Sequence, residues 1–324
     1  VRAITIPEYG QANVLTFAEI DKPTPGAGEV LVRVVATAIN RADLLQRQGF
    51  YPPPEGASPI PGLELSGRIV ELGNGVENWK VGDFICAIVT GGGYADFAVV
   101  PVGALMPIPA GIDVISAAAL PEATCTAWSN LFMLGGLREG ERVLIHGGAS
   151  GIGTMAIQLA KWIGAEVITT ASASKHEVCT FLGANKCIDY RTEDFAEEIS
   201  GVNVILDVIG ASYLAKNMKV LAPNGRLIVI GLQGGRKSEI DLGQLLTKRI
   251  SLIGTTIRGR SLIERNAISA STVAHVWPLI GKGEIKPVID QYLPWEDVAK
   301  AHDVLEEHRN IGKVVLIIDS SFTE

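Results

Sequence analysis

Arg142-Val143-Leu144-Ile145-His146-Gly147-Gly148-Ala149-Ser150-Gly151-Ile152-Gly153-Thr154 runs from an apolar strand through four glycines into the helix-like Met155-Ala156-Ile157-Gln158-Leu159-Ala160-Lys161. A glycine turn at that junction presents bare backbone N–H groups and the positive end of a helix dipole, which is how a pyrophosphate is held. Two competing motifs fail on the same residues. A Walker loop needs Lys and then Ser or Thr after its last glycine, whereas Gly153 is followed by Thr154 and Met155. A hydrolase elbow needs glycine two residues either side of its serine, and Ser150 has Gly148 before it but Ile152 after it. The order Gly148-x-x-Gly151-x-Gly153 also departs from G-x-G-x-x-G, so a strand-to-helix turn without ligand stays open until the surroundings are read.

Downstream, strand-like runs recur at Glu166 to Thr170, Lys186 to Asp189, Val204 to Asp207, Arg226 to Ile230 and Ile250 to Gly254, with helix-like stretches between them. Such alternation predicts an α/β unit, a six-stranded parallel sheet covered on both faces, with ligand at the carboxyl ends of the strands where their order reverses. The second strand leads into Ser172-Ala173-Ser174-Lys175, where NAD-specific folds place a carboxylate on the ribose 2′-hydroxyl. A serine-rich turn with a lysine instead suits a 2′-phosphate, so NADPH is the expected cofactor and Lys175 the leading specificity residue. The alternative is a solvated lysine in the first turn of the next helix, a position electrostatically poor for a cation.

The composition excludes several classes. A share of 47% hydrophobic residues and 36 glycines favour buried surface and tight turns over disorder. With 28 basic against 35 acidic residues, the formal charge of −7 gives no basic footprint for nucleic acid. There is no apolar run of membrane-spanning length and no charged-then-apolar leader at Val1 to Gly10, so a cytoplasmic location without membrane contact is expected, with Val1 following a removed methionine. Cys86, Cys125, Cys179 and Cys187 are scattered and read as reduced buried thiols, and the five histidines form no zinc motif.

Ahead of the glycine turn, Val30 to Ala36, Arg68 to Leu72, Phe84 to Ile88 and Phe97 to Val100 read as short strands separated by glycine turns, the texture of a partly open β-barrel or sandwich. After Thr255 come one long helix, Ser261 to Ile280, another opening at Pro294-Trp295-Glu296-Asp297, and a last strand, Lys313 to Ile318, that returns to the N-terminal sheet.

These residues carry a family resemblance over nearly the whole chain. Gly28-Glu29-Val30-Leu31-Val32-Arg33-Val34, Asn40-Arg41-Ala42-Asp43, Pro61-Gly62-Leu63-Glu64-Leu65-Ser66-Gly67, Val81-Gly82-Asp83 and the glycine turn, in that order, resemble the medium-chain dehydrogenase/reductase superfamily. Asn40 through Pro54 and Ile311-Gly312-Lys313 are similar to its NADPH-dependent quinone oxidoreductases, nearest the type inducible by the animal tumour suppressor. The resemblance implies a Rossmann-type doubly wound sheet for the NADPH-binding domain, residues 121–259, and a discontinuous GroES-like β-barrel catalytic domain, residues 1–120 and 260–324. Where zinc alcohol dehydrogenases have a cysteine and a histidine ligand, this chain has Asn40 and Leu63, and the four-cysteine lobe is missing, so a metal-free enzyme is expected.

A quinone is electrophilic enough to accept electrons from a reduced nicotinamide without a Lewis acid, which makes reduction the expected direction. The resemblance puts Asn40 and Tyr51 beside the nicotinamide, Asn40 donating to a carbonyl oxygen and Tyr51 stacking on or bonding a flat ring. Their plainer alternatives are capping a turn and pinning the Pro52-Pro53-Pro54 loop. It assigns Gly148, Ser150, Gly151, Ile152 and Gly153 to the pyrophosphate, and Ser172, Lys175 and Tyr190 to the 2′-phosphate, Tyr190 being otherwise a half-buried aromatic. Thr126 and Gly231 fall by the nicotinamide half, and Asn310 and Lys313 near the cofactor. Alternative activities are an enoyl or alkenal reductase and a non-catalytic cofactor-binding protein, RNA-binding or structural. The Ile250 to Gly254 edge strand is expected to pair in a homodimer.

Overall fold

The computed structural model describes residues 1–322, and its internal contacts divide the chain into two units, residues 1–125 with 258–324 and residues 126–257.

In the second unit six parallel strands lie in the order Lys186–Asp189, Glu166–Ala171, Arg142–His146, Val202–Asp207, Leu221–Val229, Ser251–Gly254. The order runs outward in one direction from Arg142–His146 and in the other from Val202–Asp207, so the switch point lies between those two strands. Leu144, Ile168, Ile188, Ile205 and Leu227 from five neighbouring strands pack with Phe195 and Met218 from the helices, and this shared layer fixes the register. The helix Gly151–Trp162 follows the first of these strands, and the Ser150 hydroxyl caps it by accepting from the Gly153 N–H at 3.0 Å.

The first unit holds a seven-stranded sheet, ordered Ile289–Pro294, Lys313–Ile317, Glu29–Ala38, Glu64–Leu72, Phe84–Ile88, Leu105–Pro107, with Phe97–Pro101 also paired to Glu29–Ala38. Glu29–Ala38 is the hub because nearly every residue in it is buried, as its β-branched Val run requires. The last strand does return to it, antiparallel, with Val315 opposite Ala38. Val30, Val32, Leu65, Ile69, Ile85, Val314 and Leu316 form the core with Tyr94 and Trp295.

Several local expectations are corrected. The long helix Ser261 to Ile280 is two, Leu262–His275 and Trp277–Gly281. Pro278 cannot donate to a carbonyl four residues back and its ring collides with that turn, so the chain breaks at Val276. Pro294-Trp295-Glu296-Asp297 does open a helix, with Pro294 ending a strand and Trp295–Asp297 forming a 3-10 turn that runs directly into the α-helix Val298–Glu306. The hairpin of Arg2–Thr5 with Thr16–Glu19 and the strands Leu105–Pro107 and Ile289–Pro294 were not legible, being short and mostly weakly alternating. Cys86, Cys125 and Cys179 are buried as expected, but Cys187 is only part-buried because it sits on the edge strand of its sheet.

Candidate functional site

In the second unit, parallel register sets the carboxyl ends of three adjacent strands side by side. His146 is opposite Thr170, and Ala171 opposite Asp189, so Gly147, Ser172 and Tyr190 each follow a strand end on the same edge of the sheet. Within the glycine turn a Cβ on Gly148 would overlap the Thr169 hydroxyl, and one on Gly153 would overlap the Gly147 carbonyl. The backbone is therefore packed against the strands with no side chain in the way, a cradle open to a phosphate. Gly151 and Ile152 occupy the first two helical positions, where N–H groups have no intrahelical acceptor, while the Thr154 N–H already bonds Ser150. Gly231 has no room for a side chain, since the Val208 carbonyl lies 2.6 Å from where its Cβ would stand.

Ser172 is buried, its hydroxyl 3.5 Å from that of Ser174, and its carbonyl accepts the Lys175 N–H at 2.9 Å. Tyr190 is exposed, with the Arg191 guanidinium 5.8 Å from its ring centroid. Thr126 is buried, and its carbonyl accepts the Asn130 amide at 2.7 Å at the start of a π-helical turn, Ser129–Leu134.

Sequence reasoning missed a buried network beneath this turn. Burial lowers His146 to about 4, so the ring is neutral. Asn217 donates its amide to Asp207 at 3.2 Å, which leaves its oxygen to accept from His146 Nε2 at 2.8 Å. The remaining nitrogen, Nδ1, therefore accepts from the Thr170 hydroxyl at 3.1 Å. Burial raises Asp207 to about 6, against the opposing pull of the Ile209 and Gly210 N–H groups and the Asn217 amide. A histidine inside an apolar strand was the only available signal, and it does not reveal its partners.

In the first unit three strand ends meet. Asn40 follows the carboxyl end of Glu29–Ala38, while Glu64 and Lys313 open the two strands antiparallel to it. The Lys313 ammonium bonds Glu64 Oε1 at 2.6 Å, Asn40 Oδ1 at 2.5 Å and the Ile39 carbonyl at 3.1 Å. The Asn40 amide donates to the same Glu64 oxygen at 2.9 Å and to the Ala38 carbonyl at 3.2 Å. Glu64 Oε2 takes the Glu122 N–H at 2.8 Å.

Three of the expected site residues have partners within this unit. Both amide hydrogens of Asn40 donate inside the protein, and Asn40 stands at the N-cap of the helix Arg41–Arg47, the plainer of its two expected roles. The three N–H bonds of Lys313 are likewise spent on groups of its own unit. Asn310 closes a turn, its amide donating to the Gly312 carbonyl at 2.7 Å.

Tyr51 is held by Arg258, whose guanidinium lies 5.2 Å from the ring centroid and donates to the Tyr51 carbonyl at 3.3 Å. The same buried guanidinium donates to the Thr90 carbonyl at 2.8 Å and Gln46 Oε1 at 2.7 Å, tying three segments together. Asp43 accepts from the Asn40 and Gly62 N–H groups at 2.8 and 3.0 Å, and burial still raises it to about 6. Glu122 is raised further, to about 8, first by burial and then by the neighbouring Glu64 carboxylate. At neutral pH it is a protonated acid and an O–H donor. Glu64, Glu122 and Arg258 were passed over because in sequence a single Glu or Arg looks like any solvated charge.

The residues present do not fit zinc. The site of the missing thiolate is Asn40, whose oxygen is already held by an ammonium, and Leu63 is a buried alkyl group. The glycine cradle and its outward N–H groups do fit a dinucleotide.

Two family models match the chain, the alcohol dehydrogenase GroES-like domain over residues 26–110 and a zinc-binding dehydrogenase model over residues 182–316. The chain is 33% identical to the synaptic vesicle membrane protein VAT-1 homolog of Rattus norvegicus, over 91% of this chain and 78% of that protein. It superposes on Escherichia coli quinone oxidoreductase complexed with NADPH at a TM-score of 0.89 and 28% identity, covering 98% of this chain and 100% of that one. On the JamJ enoyl reductase in its apo form the TM-score is 0.89 and the identity 30%, covering 98% of each chain. The chain belongs to the medium-chain dehydrogenase/reductase superfamily of oxidoreductases that use a nicotinamide cofactor.

Proposed function

We propose that this protein uses NADPH to reduce quinones, or acceptors with the same conjugated carbonyl, without a metal ion. The NADPH reading is carried by the Ser172-Ala173-Ser174-Lys175 turn, which follows the strand Glu166–Ala171 directly and contains no carboxylate. The quinone reading is supported by the likeness to a quinone oxidoreductase. A cytoplasmic location belongs to the same reading; among the described residues no helix is long and apolar enough to cross a membrane.

Bound NADPH supplies a hydride. The chain does the rest by holding and orienting. The N–H groups of Gly151 and Ile152 would hold the pyrophosphate, and the Ser172 hydroxyl, Lys175 and Tyr190 would hold the 2′-phosphate. Asn40, Lys313 and Glu64 form a fixed polar floor whose members spend their hydrogen bonds on each other. Tyr51, braced by Arg258, offers a flat ring to a flat acceptor. Glu122, raised to about 8 by burial and by Glu64, stands beside that floor, its N–H on Glu64 Oε2.

Steady-state turnover of simple quinones with NADPH and with NADH tests the reading, and equal use of the two cofactors overturns its specificity. Lys175→Ala is expected to weaken NADPH binding by about 1.5–3 kcal/mol and leave NADH nearly unchanged. The likeness to an enoyl reductase supports a second reading, reduction of α,β-unsaturated carbonyls in the same geometry. Comparing quinone and enone turnover by the same protein decides between them.

A further inference from the structure

Two cysteines of the second unit stand apart from everything used above. Cys187 lies part-buried on the edge strand Lys186–Asp189, and Cys179 is wholly buried in the helix His176–Leu182 that precedes it. The turn between them is closed by the Ala184 N–H on the Cys179 carbonyl at 3.0 Å, so helix and strand are already held close. His176, Cys179 and Thr180 share one face of their helix, and Cys187 Sγ rests against that face beside Cys179. Cys187 Sγ is also 3.6 Å from the Thr180 hydroxyl and 3.7 Å from the His176 carbonyl.

This surrounding separates the pair chemically. The hydrogen bond from Cys179 is the largest cause lowering Cys187, to about 6, with help from the Thr180 hydroxyl and nearby His176 and against some burial. As a thiolate Cys187 gives up its weak bond to the His176 carbonyl and keeps two donors. Cys179 is pushed strongly up, first by that same hydrogen bond, then by burial and the charge of Cys187, with Lys175 opposing. One sulfur is a part-exposed nucleophile and the other is its reserve.

We propose that Cys187 and Cys179 form a reversible disulfide when the protein meets hydrogen peroxide. The Cys187 thiolate attacks the O–O bond, becoming a sulfenic acid and releasing hydroxide that leaves as water after protonation. Oxidation removes the negative charge and the acceptor that held the proton on Cys179, so its thiol is released to ionise. The Cys179 sulfur then attacks the sulfenic sulfur and displaces its hydroxyl, which departs as the second water with the proton Cys179 gave up. Two thiols lose two electrons and one hydrogen peroxide gains them. The bond closes across the helix and strand that carry Lys175 and Tyr190 near their ends. It rests on these residues and stands whichever cofactor or acceptor the protein takes.

The test is mild hydrogen peroxide on the reduced full chain, followed by non-reducing peptide mapping. Loss of two hydrogens and a dithiothreitol-reversible Cys179–Cys187 peptide are expected, with Cys86 and Cys125 left as thiols. In Cys179→Ser the reaction stops at a sulfenic acid on Cys187 that dimedone traps, and in Cys187→Ser Cys179 does not react. Iodoacetamide labelling of Cys187 is expected to rise with a pH midpoint near 6. Oxidation of Cys187 to sulfinic acid with Cys179 intact, disulfides only between chains, or a labelling midpoint near that of a free thiol would each overturn the proposal.

Discussion

The Lys313 ammonium and the Glu64 carboxylate form an ion pair 2.6 Å long with 5% and 0% of their side chains exposed. Each is fully provided with further partners, so the pair is a closed unit at the end of three strands. Removing one member strands a buried charge. Lys313→Met is expected to cost about 3–5 kcal/mol of stability, and adding Glu64→Gln to recover much of it, because the lone carboxylate is then gone. Urea unfolding of the two single variants and the double variant measures this; additive losses would show that the two residues do not act as a pair.

Arg258 holds Tyr51 through a planar fork, with separate nitrogens on Thr90, Gln46 and Tyr51. Arg258→Lys keeps the charge but reaches one acceptor at a time. KM for a quinone is expected to rise by about ten-fold, roughly 1.4 kcal/mol, with the NADPH dissociation constant unchanged. Kinetics at saturating NADPH together with a fluorescence titration of the cofactor separate the two effects.

Glu122 titrates near 8 in the folded protein against an ordinary 4.5, so between those values the folded chain holds a proton that the unfolded chain has lost. Its stabilising contribution is fully present below the unfolded value and is lost as pH rises through the folded one. Glu122→Gln, neutral at every pH, lacks this slope. Wild-type stability relative to the variant is expected to fall from about pH 4.5 to about pH 8 and then level off, by at most roughly 1.4 kcal/mol per pH unit. Melting curves of both proteins across that range decide it, and parallel pH profiles would refute the assignment.

Gly148 packs its bare Cα against Thr169. Gly148→Ala is expected to cost about 1–3 kcal/mol and to weaken NADPH binding, since the turn must lift away from the sheet. Thr169→Ala restores only part of the loss, because the residue-169 Cβ still lies 2.9 Å from the new methyl. Full rescue would mean that the hydroxyl alone sets the spacing.

The edge strand Ser251–Gly254 carries exposed Leu252, and the preceding helix Leu242–Lys248 exposes Leu242 and Leu246 at 65% and 77%. An apolar edge of this kind is expected to pair with a second copy. Sedimentation of the wild type should show a dimer, and Leu246→Glu should shift it towards monomer.

The glycine turn was readable because its evidence is local. Ser150 sits one turn before the N–H it caps, and the strand before it is an uninterrupted apolar run, so strand, turn and helix follow from adjacent residues. The same locality made the Ser172 to Lys175 turn legible. Pro278 is enough to break the helix at Val276, although the apolar spacing continues through it.

The polar site in the first unit was another matter. Asn40 was singled out, but as a hydrogen-bond donor, since its partners Glu64 and Lys313 are 24 and 273 residues away. Glu122 has no distinctive neighbours in sequence, and it becomes an acid that keeps its proton only where burial and Glu64 surround it. What the chain order determined alone was the succession of elements, the glycine turn into a capped helix and the absence of a carboxylate after the second strand of the parallel sheet, all consequences of short-range geometry. What only the tertiary structure decided was which charges are paired, which are protonated and which hydrogen bonds are already spent. Those depend on desolvation and on partners brought together by sheet register, and neither is a property of neighbouring residues.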